Sequence, residues 1–323
     1  MNRILIHSLF LLVLPIIVAW YGLGTLTAVL LVVLALLWRL AITLATLMFP
    51  PKTPGLELET ISASHFVEKV RWCMDRLGVE YREKPFAGIF GVFFKGRTVP
   101  QLRARTGKTV SVIGDSPDIL RYLWGRCSVS MGEAAEFLEP TTERLEWEKR
   151  IDHYGVQLQV WIYWHLLAHR KLTLHGWGFD SKRTPIFQRC CLFILYPVFA
   201  GFIRRAFRIN ERHYKKATVN IEKILKDVED RLDSGQEYLL GNKQPDFVDF
   251  SFAAMTGLWL QPQGYGGGMA DDVMLSRDQL PGPMREDVEK WIAAYPNTER
   301  YVQRLFREER SQAGRGQESA PTA

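Results

Sequence analysis

The sequence is poor in cysteine, with only Cys73, Cys127, Cys190 and Cys191 in 323 residues. Two of the four are adjacent and none falls in a framework spacing, which excludes a disulfide-stapled scaffold and agrees with a reducing compartment. There is no C-x-x-C, and the seven histidines do not gather with the cysteines in a ligand pattern, so no metal site is expected. His165 and His169 stand four apart but lack a third ligand. Charge of neither sign dominates: 41 Lys and Arg against 35 Asp and Glu leave a net charge of +6. The basic residues are not interleaved into a nucleic-acid-binding motif, so no nucleic-acid partner is expected, and anionic lipid is the favoured electrostatic partner. No internal repeat is present.

What the chain has instead is a long apolar run, from Ile4 to Phe49, broken mainly by Tyr21-Gly22-Leu23-Gly24 and by Trp38-Arg39. As one helix it would be roughly 70 Å long, more than twice the hydrocarbon thickness of a bilayer. The glycine break therefore predicts a transmembrane hairpin over residues 1–50, with spans near 4–20 and 25–45. Arg3 precedes the first span, and Arg39 and Lys52 lie at or beyond the end of the second. This charge placement predicts a multi-pass membrane protein with both termini and the folded part on the cytoplasmic side. Arg39 reaches the headgroups by snorkelling. The competing reading, a secretory signal peptide, calls for a shorter apolar stretch and a small-x-small cleavage site, which is missing around Val18-Ala19-Trp20.

After a proline-rich linker, 51–55, the pattern changes. Leu56–Ile61 reads as a strand and Ser64–Leu77 as a helix, with apolar residues at three and four and Gly78 at its end. Val79–Pro85 reads as a second strand, followed by an Ala87–Gly96 loop rich in Gly and Phe. Thr98–Leu102 is β-biased but contains Pro100, which a central strand accepts only at its start. A Gly107-Lys108 turn leads to a strand at Thr109–Ile113, and Asp115-Ser116 opens a helix. The order β-α-β-β-β-α over residues 56–126 predicts a thioredoxin-like α+β domain. Beyond an interdomain linker at 127–140 the strands vanish. Thr142–Ala168, Gln188–Arg208, Glu211–Leu232, Phe247–Leu260 and Arg285–Phe306 have helical periodicity, predicting an all-α domain over 141–308 and a disordered tail over 309–323.

Four ordered segments carry a family resemblance. They are Ser64-His65-Phe66-Val67-Glu68-Lys69-Val70-Arg71 with Leu77-Gly78-Val79-Glu80-Tyr81; Thr98-Val99-Pro100-Gln101-Leu102; Gly114-Asp115-Ser116-Pro117-Asp118-Ile119; and Tyr238-Leu239-Leu240-Gly241 with Asp246-Phe247-Val248-Asp249. Together, across roughly residues 56–305, they resemble the glutathione transferase superfamily: a helix-opening Ser/Cys-Pro-x-x-x-Lys/Arg-Val-Arg, a Val-Pro-x-Leu with a cis proline, a Glu/Asp-Ser-x-x-Ile element, and a C-terminal helix-capping box. The chain departs from that pattern at His65, where proline is usual. No cysteine occupies Ser64 or Val67, so thiol-disulfide chemistry is not implied.

The resemblance implies glutathione as ligand or co-substrate, and the residues have their own reasons to suit it. A strand end at Val99-Pro100 can offer backbone N–H and C=O to an extended peptide. At a helix start, Ser116 and the free N–H groups favour a carboxylate, and Asp115 can pair with an amine. Ser64, with Ser62 as second choice, is the candidate for polarising the glutathione thiol so that a thiolate attacks an apolar electrophile. Each reading has a plainer competitor: Ser64 and Asp115-Ser116 as ordinary helix caps, and His65 as an incidental exposed residue. Cys73 reads as core. Asp246 and Asp249 read as a structural capping box rather than as site residues.

Two features stand apart from the resemblance. Cys190–Ile203 is more apolar than a solvated helix and is followed by Arg204, Arg205 and Arg208, which fits either a core helix or a membrane contact. Trp161, Trp164 and the His175–Phe179 loop fit either core packing or an apolar second-substrate pocket. Long helical insertions of this kind occur in metaxin and failed-axon-connections proteins. The expected function is thus a membrane-anchored glutathione transferase-like protein, with a noncatalytic scaffold of the same fold as the alternative and a homodimer as the expected assembly.

Overall fold

The computed structural model describes residues 16–17, 20–22, 24–48, 55–85, 99–106 and 109–310. The chain divides into two compact units, residues 1–55 with 105–111, and residues 56–104 with 112–323.

In the first unit, helix α1 (Thr25–Met48) follows Gly24, whose φ of 88° marks the predicted break. At 24 residues it is about 36 Å long. Its residues are mostly apolar, with Arg39 the one charge. Leu26, Leu30, Leu34, Leu36, Leu37 and Trp38 are all exposed. Of the predicted first span, residues 16, 17 and 20 are described and are helical; the rest lies outside the described residues. So do the Pro50–Pro54 segment, the Ala87–Gly96 loop and the Gly107-Lys108 turn. Among the described residues, one helix, Ile186–Ala206, is long and apolar enough by length and composition to cross a membrane, and Thr25–Trp38 of α1 is a shorter apolar stretch.

The second unit begins with β1 (Leu56–Thr60), followed by α2 (His65–Arg76) and β2 (Arg82–Pro85). It continues with β3 (Gln101–Thr106) and β4 (Thr109–Gly114), of which residues 105–106 and 109–111 are counted with the first unit, and with α3 (Ser116–Met131). The sheet order is β2-β1-β3-β4. β1 runs parallel to β2, with Leu58 opposite Glu83, and antiparallel to β3, with Leu58 opposite Leu102. A parallel pair needs a crossover, and α2 supplies it. The alternation that buries Leu56, Leu58, Leu102 and Ala104 sets the register, because a one-residue slip would put these side chains on the opposite face.

The second strand starts three residues later than the sequence reading placed it. The predicted 127–140 linker is not extended chain: α3 runs to Met131 and a 3₁₀ segment, Gly132–Leu138, carries it on, with Ala135, Phe137 and Leu138 buried.

Helices α4 (Thr142–Leu166), α5 (Arg170–Gly176), α6 (Ile186–Ala206) and α7 (Glu211–Asp233) follow, then α8 (Phe247–Leu260), α9 (Gly282–Ala294) and α10 (Pro296–Leu305). The predicted Arg285–Phe306 helix is two helices because Pro296 has no N–H to continue α9 and is tolerated in the first turn of α10. Glu309 and Arg310, assigned to the tail by the sequence reading, are ordered: Glu309 pairs with Arg76, and the 2 %-exposed Arg310 pairs with Glu68 at 2.8 Å and Asp75 at 2.7 Å. Residues from Ser311 on lie outside the described residues.

α2 is the centre of this unit. Its apolar positions Val67, Val70, Cys73 and Met74 are buried as the periodicity predicts, but Glu68, Lys69 and Arg71 are buried as well. Burying a charge is costly unless it is paired. Lys69 meets Glu148 and Asp152 on α4, both at 2.8 Å, and Arg71 meets Glu68 and Glu83, again at 2.8 Å. Burial works against the Lys69 charge, but Asp152 and Glu148 outweigh it and hold its pKa above the ordinary lysine value. α2 thus has packing on both sides, and ion pairs replace water on its polar face.

Candidate functional site

Ser64 sits at the N-cap position of α2 in an extended conformation (φ −72°, ψ 126°), and its side chain makes no capping hydrogen bond. Ser64 lines a cavity of about 160 Å³, with Ala63 and His65 beside it on one side and largely the helical part on the other. The helical side includes Gln159, Ile162, Tyr163 and Leu166 of α4, Thr173 and Gly176 of α5, Trp177, and Met284 of α9. Its lining is mainly apolar, and a volume near 150 Å³ with such a lining holds a ligand of about one aromatic ring. Ser62, the second choice, is buried and does not line it.

His65 is not the exposed residue the sequence suggested. It is 3 % exposed, and its Nε2 lies 3.0 Å from the Gly155 carbonyl oxygen, which makes Nε2 the protonated nitrogen. This close approach requires a glycine at 155: a Cβ there would fall 2.7 Å from Met255 Sδ and 2.8 Å from Phe66 Cζ. Burial pushes the imidazole down to about 4, partly offset by the Gly155 bond. A histidine whose folded pKa is depressed contributes stability that is present above its unfolded pKa of about 6.5 and is lost as pH falls toward 4. The shift corresponds to about 3 kcal/mol. Denaturant titrations at pH 7 and pH 4.5 should therefore show a stability loss that the His65→Asn variant largely lacks; equal slopes in the two proteins would contradict this assignment.

The second cluster is built on the β4–α3 turn. The Val99–Pro100 bond is cis, as the family resemblance implied, and the Asp115 N–H donates to the Pro100 carbonyl oxygen at 3.3 Å, bringing these two residues together. Asp115 has φ 75°, a conformation that non-glycine residues rarely adopt and that costs on the order of 1–3 kcal/mol. Its Oδ1 accepts from the Ser116 N–H at 2.8 Å, so the carboxylate caps the first N–H of α3. Asp115 is exposed, whereas Ser116 is fully buried and its Oγ has no hydrogen-bond partner among the described residues. A buried hydroxyl left unpaired costs free energy, which a ligand acceptor would recover. Val99, Pro100, Asp115 and Ser116 do not line the 160 Å³ cavity; of the proposed binding and catalytic residues, only Ser64 does.

Trp161 and Trp164 belong to the packing instead. The Trp161 Nε1–H donates to Asp287 Oδ2 at 2.8 Å, and Trp164 stacks on Tyr214 at 5.0 Å. Of the His175–Phe179 loop, Gly176 and Trp177 reach the cavity. The sequence reading missed Gln159 and Tyr163, although their spacing of four, interleaved with Ile162 and Leu166, marks one face of α4. Burial raises the Tyr163 phenol above its ordinary value, so it is a neutral hydroxyl at neutral pH. Cys73 is core, its thiol pushed up to about 12 by burial, and cannot serve as a nucleophile.

The Asp246–Asp249 pair forms the predicted capping box at the start of α8. Asp249 Oδ2 accepts from the Asp246 N–H at 2.8 Å, while Oδ1 accepts from the Leu239 N–H at 2.9 Å and from the Tyr301 hydroxyl at 2.5 Å.

Residues 196–304 match the family model described as glutathione S-transferase, C-terminal domain, about a third of the chain. No curated protein matches the sequence. Among solved structures, the chain is similar to a glutathione transferase family member from Pseudomonas fluorescens with two glutathione bound, at 15 % identity and a TM-score of 0.47, covering 84 % of this chain and 97 % of that one. It is also similar to the glutathione transferase YghU from Streptococcus pneumoniae complexed with glutathione, at 14 % identity and a TM-score of 0.49, covering 84 % and 86 %. A third, a glutathione S-transferase from Methylobacillus flagellatus with glutathione bound, gives 13 % identity, a TM-score of 0.45 and coverage of 80 % and 98 %.

Proposed function

We propose that this chain is a glutathione transferase-like enzyme that binds glutathione at Val99, Pro100, Asp115 and Ser116 and conjugates it to an apolar electrophile, with Ser64 polarising the thiol. The observation that carries the reading is Ser64, whose hydroxyl is not spent on capping α2 and which lines an apolar cavity beside a segment matching the C-terminal domain family. A hydroxyl and the N-terminus of α2 together favour a thiolate over a thiol. The cavity then serves the electrophile, which its size limits to about one ring. The unpaired Ser116 hydroxyl suits the γ-glutamyl carboxylate, and the exposed Asp115 carboxylate suits the amine.

In the same proposal α1 anchors the chain in a bilayer. The helix exceeds the roughly 30 Å hydrocarbon core, and its described side chains are almost all apolar and exposed. The charge pattern around it favours a cytoplasmic folded part, and a homodimer is the expected assembly.

The test is calorimetric titration of the full chain with glutathione, alongside the Ser116→Ala variant. Wild type should bind, and the variant should bind about tenfold more weakly, the value of one hydrogen bond to a charged group. Absence of binding by the wild-type chain, with no conjugation of a generic aryl halide, would overturn the proposal.

A further inference from the structure

α6 is apolar on two faces. Leu192, Tyr196, Phe199 and Ile203 are buried in a cluster with Leu167, Leu174 and Trp177, and the Tyr196 hydroxyl donates to the Leu167 carbonyl oxygen at 3.0 Å. That stripe accounts for one side of the helix. On the other side Ile186, Phe187, Cys190, Ile194, Val198 and Phe202 form a second stripe at the three- and four-residue spacing of one helix face, and all six are exposed. Ile186 is 76 % exposed and Ile194 72 %. A contiguous apolar stripe running the length of a helix of about 30 Å is not the scattered exposure ordinary at a surface.

The charge around the stripe identifies what covers it. Residues 181–210 contain Lys182, Arg183, Arg189, Arg204, Arg205 and Arg208, and neither Asp nor Glu. Lys182 and Arg183 precede the helix, while Arg204, Arg205 and Arg208 lie at and beyond its end; all five are exposed. An apolar face with cations at both ends fits the boundary between acyl chains and anionic headgroups. Spanning is excluded, because the opposite face is held in the protein core.

We infer that α6 lies in the plane of an anionic membrane surface, with the Ile186–Phe202 stripe in the acyl boundary and the flanking arginines on the headgroups. This contact is separate from the proposed anchor α1. Because α5 and Trp177, which pack against α6, also contribute to the cavity wall, the contact would place one wall of the cavity next to lipid.

Cys190 supplies the test. The full chain carrying Cys191→Ser is placed at one copy per disc in nanodiscs of phosphatidylcholine alone or with phosphatidylserine, and Cys190 is reacted with a water-soluble maleimide. The buried Cys73 and Cys127 should react only after denaturation, which reports the fold. Cys190 should react at least about tenfold more slowly in the anionic discs, and the protection should vanish at high salt and in the double variant Arg204→Glu, Arg205→Glu. Ile194→Glu should remove it as well. Copurification with the disc reports on α1, and the labelling rate on α6; if the chain does not enter discs, the same comparison with added vesicles of the two compositions reads α6 alone. Equal rates in the two lipids, or protection that follows protein concentration instead of lipid charge, as a second copy on this face would give, overturns the inference.

Discussion

Replacing Ser64 by Ala is expected to lower kcat/KM for glutathione conjugation by about 10²–10³-fold while leaving the Kd for glutathione within a few-fold of wild type. The two parameters separate because the proposed hydroxyl acts on the sulfur alone, whereas the γ-glutamyl end would be held by Asp115 and Ser116. The substitution removes no capping bond, since the Ser64 side chain makes none, so α2 should keep its stability. A free thiol has a pKa near 8.5, and a hydroxyl that stabilises the thiolate shifts the rate profile to lower pH. In the Ser64→Ala protein the profile should move upward toward the free-thiol value, and the rate difference should shrink at high pH. A structural role for Ser64 would leave the profile in place. If both proteins conjugate equally, Ser64 is not the thiol-polarising group; if neither does while both bind glutathione, the noncatalytic scaffold reading replaces the enzyme.

The largest stability effect is expected at Asp249. Its carboxylate accepts from two backbone N–H groups and one hydroxyl, and the residue is fully buried. Asp249→Ala leaves the Leu239 and Asp246 N–H groups and the Tyr301 hydroxyl without their acceptor. At about 1–3 kcal/mol for each buried unsatisfied group, with partial relaxation, the loss should be at least about 3 kcal/mol. That corresponds to a Tm drop on the order of 10 °C. Burial and the adjacent Asp246 carboxylate push Asp249 up to about 7. A carboxyl whose folded pKa is raised adds stability that is full below the unfolded value of about 3.8 and is lost as pH rises through 7. The difference between wild type and Asp249→Ala should therefore be larger at pH 5 than at pH 8. Activity per folded molecule should be unchanged; an inactive variant with wild-type heat stability would place Asp249 in the site instead.

These two residues also show how legibility differs between fold and site. The capping box was legible because it is local: an Asp at the N-cap and another three residues on satisfy free N–H groups wherever the helix lies. The strands at Leu58 and Leu102 and the periodicity of α7 were legible for the same reason, their pattern being carried by consecutive residues. At Ser64 the sequence offered two roles, and local pattern could not choose between them, because an unused capping bond depends on where the side chain turns. His65 was misread as exposed because the group that holds its Nε2, the Gly155 carbonyl oxygen, comes from α4, 90 residues away.

The cis Val99–Pro100 bond was implied by the family resemblance; the apolar N-terminal run, the β-α-β-β-β-α order and the helical periodicities beyond residue 140 were legible in the residues themselves. Each of the latter follows from residue spacing and backbone sterics within a few residues. The burial of Glu68, Lys69 and Arg71 emerges only in the folded chain, since their partners Glu148, Asp152 and Arg310 come from distant segments and a charged helix face reads as solvated until something covers it. The same holds for α6, where the sequence left core helix and membrane contact open. Its apolar residues are divided between a packed stripe and an exposed one, and that division depends on which neighbours cover each side of the helix.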